Sequence, residues 1–330
     1  MKKIYLIICL MCIMLISGCS KISEKNIVKK LKNKIESANS YNLNGELEIT
    51  NSEYTYKYDV ESSYKKKDLY RVELKNKSNN HEQIILRNKD GVYVLTPSLN
   101  KSFKFQSEWP YNNSQTYLLQ TLIKDIENKD TKLEKTKDQY IFTTNVNYSN
   151  SKDLKIQKIY VDKKLDIKLV EVYDDKNNLK MKMTFNNIKY DENFKEDYFE
   201  LKNNMAVMNE EEVKTTSKIK DIVYPMYLPE NTYLTGQNTI KTENGERIIL
   251  TFSGEKPFVF VQETAQYEKE INTVNMTGEP LILTDTVGAL TNNSANWISN
   301  NVEYYVVSDN LSQDELVSVV QSISVMPVSK

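Results

Sequence analysis

Cys19 is the residue whose setting points most directly to a reaction. It closes the run Ile16-Ser17-Gly18-Cys19, an aliphatic residue and two small ones before a cysteine. Small residues let a peptidase reach the bond before the cysteine, and a thiol placed there meets a lipid head group at the membrane surface. Ahead of it, Lys2 and Lys3 make a positive start and Ile4 to Ile16 an apolar run. The run is too short to span a bilayer, which takes about 20 apolar residues, and it has the form of an export signal. The expected chemistry is that of the bacterial lipobox. Residues 1–18 are removed, and Cys19 carries acyl chains such as palmitate that anchor the protein on the extracytoplasmic face of a membrane. One acyl chain holds a protein marginally and two or three hold it stably. Cys9 and Cys12 fall in the removed segment, so the mature chain keeps one cysteine and no disulfide.

Other chemistry is hard to assemble from these residues. Enzymes need poised nucleophiles, bases or metals. The chain has one histidine, His81, in the polar loop Lys77-Ser78-Asn79-Asn80, and eight glycines with no phosphate-binding pattern. Asp174-Asp175 is the most obvious carboxylate pair, but it sits in a hairpin turn where aspartate serves turn geometry. The reading is therefore a protein that is not an enzyme, with no cofactor and no metal. Forty-four Lys+Arg against 45 Asp+Glu leave no basic excess for nucleic acid.

The aromatic residues are the second signal. Twenty-two tyrosines recur at alternate positions in strand-like segments, where a pleated surface accommodates broad side chains. Trp109-Pro110 ends a strand-like run, since Pro110 lacks a ladder donor, and leaves a large aromatic at the sheet rim as a plug or an anchor. Tyr93, Leu95, Phe103, Phe105, Trp109, Tyr117 and Leu118 are the candidate lining of a hydrophobic groove or partner site.

The elements that must position these residues follow from periodicity. Ile27, Val28, Leu31 and Ile35 mark a helix over 24–38, with Ser23 near its cap. From Tyr41 the period becomes two, and strands recur to Ile188, among them Ile84–Leu86 and Val92–Leu95 around the Asn88–Gly91 turn. Ser114 to Glu127 reads as a second helix. Few helices among many strands imply a mainly β, α+β chain with an antiparallel meander and helices on one face. The polar run Asn203 to Asp221 reads as a linker. Beyond it, strands at 233–237, 247–253, 258–263, 280–283 and 302–307 precede a helix started by a Ser312/Glu315 capping box. The expected order is a signal peptide at 1–18, a lipidated tether at 19–23, a large domain at 24–205, a linker at 206–218 and a small α+β domain at 219–330.

Ile84-Ile85-Leu86-Arg87-Asn88, Gly91-Val92-Tyr93-Val94-Leu95-Thr96-Pro97, Asn100-Lys101-Ser102-Phe103 and Gln106-Ser107-Glu108-Trp109-Pro110 resemble the germination lipoproteins of spore-forming Firmicutes, the GerS and YdcC-like group. The resemblance covers residues 1 to about 205 and implies the LolA/LolB-like fold, an unclosed antiparallel β half-barrel with helices on its concave face. It also implies action in sporulation or spore germination at the forespore or spore membrane, in support of cortex peptidoglycan modification, with a cortex amidase as protein partner. Gln262-Glu263, Gly278-Glu279-Pro280, Val287-Gly288-Ala289-Leu290 and Trp297 resemble a domain appended to other exported Firmicute proteins. A half-barrel followed by a small domain is also similar to the RseB-type envelope-stress regulators. Three readings follow: a scaffold for a protein partner, a carrier of acyl chains in the half-barrel cavity, or an envelope sensor.

Overall fold

A computed structural model describes residues 24–51, 54–148, 151–205, 219–243 and 245–323. The signal segment, the 19–23 tether, Ser23 and the 206–218 linker expected above lie outside the described residues. Helix α1 (Glu24–Ser37) buries Ile27, Leu31 and Ile35 on one stripe. The strands β1 (Ser40–Thr50), β2 (Thr55–Lys65), β3 (Leu69–Asn76), β4 (Glu82–Asn88), β5 (Gly91–Thr96) and β6 (Lys101–Phe105) then run as an antiparallel meander. After α2 (Leu119–Ile126) come β7 (Lys132–Lys135), β8 (Gln139–Asn145), β9 (Leu154–Asp162), β10 (Ile167–Asp174) and β11 (Leu179–Tyr190). β11 returns beside β1 and joins the two meanders into one sheet. This sheet has free ends at β7 and at the far side, so it is an unclosed half-barrel. Its concave face carries both helices, because Tyr41, Leu43, Tyr70, Val72, Phe142 and Ile159 share one buried cluster with Ile27, Leu31, Leu122 and Ile126. The register shift at Asn44/Gly45 is a β-bulge, and bulges bend the strand that carries them. A Cβ on Gly45 would stand 2.2 Å from Thr184 O, so only glycine fits there.

The consecutive apolar runs Ile84–Leu86 and Val92–Leu95 have a structural cause. Strands covered on both faces lose the apolar/polar alternation. Ile85, Val92 and Val94 face the helices, whereas Ile84, Leu86, Tyr93 and Leu95 face outward under Phe199 and Met205, with Phe194, Tyr198 and Leu201 packed around them. The second helix is shorter than the periodicity predicts. Residues 114–118 are not helical: Ser114 N donates to Asn147 O, and Leu118 is extended at φ −122° and ψ 118°. The Thr121 hydroxyl bonds to Gln115 O and Leu118 O and so secures the entry turn.

The C-terminal part forms a seven-stranded antiparallel sheet among the described residues. Its order is β12 (Thr232–Thr242), β13 (Gly245–Gly254), β14 (Phe258–Thr264), β19 (Val302–Val307), β18 (Ser294–Ser299), β17 (Val287–Thr291) and β16 (Gly278–Ile282). Helix α3 (Gln313–Ser322) buries Leu316, Val319 and Val320 against it. Its capping box is formed as the sequence predicts: the Ser312 hydroxyl accepts from Glu315 N, and the Glu315 carboxylate accepts from Ser312 N at 2.9 Å.

The half-barrel is not confined to residues 24–205, and this corrects the simple division expected from the sequence. A strand from the C-terminal part, β15 (Asn272–Met276), pairs in parallel with β6 from Asn272↔Lys101 to Met276↔Phe105 and becomes the last strand of the large sheet. Val287 and Ala289 enter the large core. The buried Gln83 side chain donates to Val287 O at 2.8 Å and accepts from the Thr286 hydroxyl at 2.8 Å and from Val287 N at 2.5 Å. The Tyr58 hydroxyl donates to Thr284 O at 2.7 Å, and Lys101 pairs with Glu303 at 2.7 Å.

A buried backbone group left without its partner costs about 1–3 kcal/mol. Gln83→Leu leaves two such groups, Val287 N and Val287 O, without their partner, so urea unfolding should show a loss of about 2–4 kcal/mol in stability. An unchanged midpoint would mean that the C-terminal part hangs from the chain independently.

Candidate functional site

The seven candidate groove residues are all buried, none more than 6% exposed. They do not line one surface. Phe103, Phe105, Trp109, Tyr117 and Leu118 lie in the concave-face core, whereas Tyr93 and Leu95 lie on the opposite face beneath Phe199 and Met205. The reason is the two-residue period of a strand. Tyr93 pairs with Lys104, while Val92 and Val94 pair with Phe105 and Phe103 and share their face. Trp109, followed by a cis Trp109–Pro110 bond, is the plug and not the anchor. Its ring meets Tyr70 edge-on at 6.0 Å, and Tyr70 continues to Tyr64 and Tyr41 at 5.0 and 5.3 Å. This aromatic row and the two helices fill the face on which an acyl chain would lie. Cys19 lies outside the described residues.

Of the residues weighed for catalysis, Asp174 is satisfied structurally, whereas His81 Nε2 is buried without a hydrogen-bond partner among the described residues. The Asp174 carboxylate accepts from Lys176 N, Asn178 N and Asn178 Nδ2 at 3.0, 2.7 and 2.9 Å, which is the work of a turn. Burial pushes the His81 imidazole below its ordinary value. Among the described residues no group of three or more His, Cys, Asp or Glu side chains is arranged to hold a metal.

Two surfaces were not legible in the sequence. The first is a polar hollow of about 310 Å³ lined by Asn112, Ser114, Thr121, Asp125 and Asn147. Asp125 accepts from Gln157 Nε2 at 2.6 Å. Asn112 Oδ1 is buried there without a hydrogen-bond partner among the described residues, as are Gln115 Oε1 and the Tyr148 hydroxyl in a smaller adjoining hollow. Unpaired carbonyl oxygens in such a lining accept from hydrogen-bond donors.

The second is β12, an outer strand with a neighbour on one side only among the described residues. Tyr233, Leu234 and Ile240 stand exposed on it, with Tyr233 at 59%. The preceding segment adds Tyr224, Met226, Tyr227 and Leu228, with Met226 at 69%. The segment is held against the sheet by buried Gln262, which accepts from Val223 N at 3.0 Å and donates to Val223 O at 2.8 Å. The Tyr224 hydroxyl donates to Gln237 of β12 at 2.8 Å. Exposed edges are usually blunted by charge, proline or a bulge. Here there is a register shift at Leu234/Gly236, and the apolar side chains remain in solvent. The sequence signal was present in Tyr227-Leu228-Pro229 and Tyr233-Leu234, but strand order decides that they lie at an edge.

The polar hollow predicts a pH effect. Burial lifts the Asp125 carboxyl from 3.8 to about 6. The folded state therefore holds this proton where the unfolded chain has released it, and the Asp125 contribution to stability falls as pH rises between those two values. Asp125→Asn removes the dependence. The stability of the variant relative to the parent should rise by about 2–3 kcal/mol across that window, measured by denaturant titration at each pH. A pH-independent difference would refute the shift.

A family model described as sporulation protein YdcC-like matches residues 1–199. The chain is 37% identical over 319 residues to the sporulation protein YdcC of Bacillus subtilis (strain 168), covering 95% of this chain and 94% of that protein. The C-terminal part is thus shared with a full-length relative and is not an addition to a shorter pattern. Among solved structures, a chain of the CwlD amidase–GerS lipoprotein complex from Clostridioides difficile is 19% identical, with 51% of this chain and 96% of that chain covered, at a TM-score of 0.32. The Pseudomonas aeruginosa MucA/MucB complex gives 13% identity over 90% of this chain and 98% of that chain, also at 0.32. A LolA superfamily protein from Nitrosomonas europaea gives 11% identity over 53% of this chain and 96% of that chain, at 0.31. On the family match and the near full-length identity to YdcC, the chain belongs to the YdcC-like family of sporulation proteins.

Proposed function

We propose that this protein is a non-enzymatic binding lipoprotein of the sporulating cell. In this reading it is held on the extracytoplasmic face of the forespore or spore membrane by acyl chains on Cys19. It supports cortex peptidoglycan modification by holding a protein partner. The observation that carries the binding role is β12, an edge strand with exposed tyrosine and aliphatic side chains beside an exposed apolar turn. An edge of this kind accepts a strand from another chain: main-chain bonds supply affinity and alternate side chains supply specificity. The family supplies the sporulation setting, and the cortex amidase implied by the germination-lipoprotein resemblance is the partner to test first.

The acyl-carrier reading is the weaker one. A carrier needs an open concave face, and here Leu31, Leu122, Tyr70 and Trp109 occupy it. A permanent anchor also limits a carrier to local exchange.

A strain lacking the protein should form spores that germinate poorly. Restoring Tyr233→Asp/Leu234→Lys should fail to repair germination although the variant accumulates at the parental level, because both changes place charge on the edge. Normal germination without the protein would overturn the sporulation role, and full rescue by the variant would overturn the docking edge. Cys19→Ala should move the protein out of the detergent phase on Triton X-114 partitioning; retention there would show that Cys19 does not carry the anchor.

A further inference from the structure

The first half of α1 and the end of α2 enclose a cleft of about 690 Å³ lined by Lys25, Val28, Lys29, Lys32, Ile126 and Lys129. Two of its ion pairs are internal: Lys32 is bound to Glu127 at 2.8 Å and lies 3.7 Å from Glu36. Lys25, Lys29 and Lys129 are exposed, and no ion pair to any of them occurs among the described residues. Lys25 and Lys29 are four residues apart on one helix face, where like charges repel. Glu24 also lines the cleft, but among the described residues no acidic side chain forms an ion pair with Lys25 or Lys29. The end of α1 that opens on the cleft is also the end whose backbone dipole favours anions. α1 carries five lysines against two glutamates in a chain of net charge −1, so the excess is local. Val28 is half-buried beneath the lysines and Ile126 is buried. The combination is a cationic rim on an apolar floor.

Where this cleft must lie follows from chain length. Five residue steps separate Cys19 from Glu24, at most about 18 Å of extended backbone. We propose that the cleft docks on the anionic phospholipid surface beside the Cys19 anchor, with Lys25, Lys29 and Lys129 on the head-group phosphates and Val28 against the glycerol region. This inference rests on the lipid-anchor reading above for its geometry. Docking there fixes which way the protein faces, where a tether alone would let it tumble. The sequence does not display the patch, because Lys129 joins Lys25 and Lys29 only when α2 packs on α1.

The test uses the chain from residue 19 with Cys19→Ser, which retains every described residue and has no acyl group. It should float with phosphatidylcholine–phosphatidylglycerol vesicles at low salt and not with pure phosphatidylcholine vesicles, since basic groups near an anionic surface act within a Debye length. Each lysine there is worth about a fivefold change, so Lys25→Gln/Lys29→Gln/Lys129→Gln should bind about a hundredfold more weakly. Lys137→Gln/Lys155→Gln/Lys176→Gln, which removes equal charge from other exposed positions, should bind like the parent. Hydrogen exchange should slow in residues 24–32 and 126–131 on vesicle binding. Equal binding to neutral vesicles, equal loss in both triple variants, or displacement of the protein by inorganic phosphate at matched ionic strength would overturn the proposal. The anchor reading is tested separately by the intact mass of membrane-extracted protein, so either can fail alone.

Discussion

One buried amide holds the two halves of this protein in register. Gln83 lies in β4, within the half-barrel, and all three of its hydrogen bonds go to Thr286 and Val287, just where the C-terminal sheet begins β17. Buried polar groups that satisfy one another in this way are costly to separate. β15 pairs along β6 nearby, and Tyr58 and Lys101 add further bonds across the same boundary. The C-terminal part is therefore a structural completion of the half-barrel, and the edge strand β12 and the cleft at α1 are held in a fixed relation to each other.

The second constraint is the filled concave face. An unclosed sheet leaves one apolar surface that something must cover. In this chain α1, α2, Trp109 and the row of Tyr70, Tyr64 and Tyr41 cover it. The outer face of β4 and β5 is covered as well, by the segment ending at Met205. With the concave face filled and the outer face of β4 and β5 covered, the apolar surfaces of this part of the sheet are not open to a ligand.

The elements that depend on near neighbours were legible in advance. Ile27, Leu31 and Ile35 mark α1 by spacing alone, and Ser312 with Glu315 marks the start of α3, because capping and amphipathicity act within one or two turns. The alternation of Tyr70, Val72 and Leu74 states which face of β3 is inward. The consecutive apolar residues of β4 and β5 were visible too, but their cause, a second covering layer from residues 194–205, was not. Tyr93 and Leu95 lie on the face opposite Phe103 and Phe105, because the β5–β6 register pairs Tyr93 with Lys104 and Val94 with Phe103.

Features that act over a few residues follow from residue order alone: the stripe of α1, the capping box of α3 and the turn around Asn88–Gly91. Family membership was also legible, since it rests on ordered blocks of residues. Long-range features depend on the folded chain. Gln83 and Val287 are 204 residues apart, and β15 joins β6 across a gap that no periodicity records. Edge position, face coverage and the meeting of Lys129 with Lys25 and Lys29 belong to this second kind. Each depends on which surfaces the folded chain brings together, and burial and strand order carry that information where residue spacing does not.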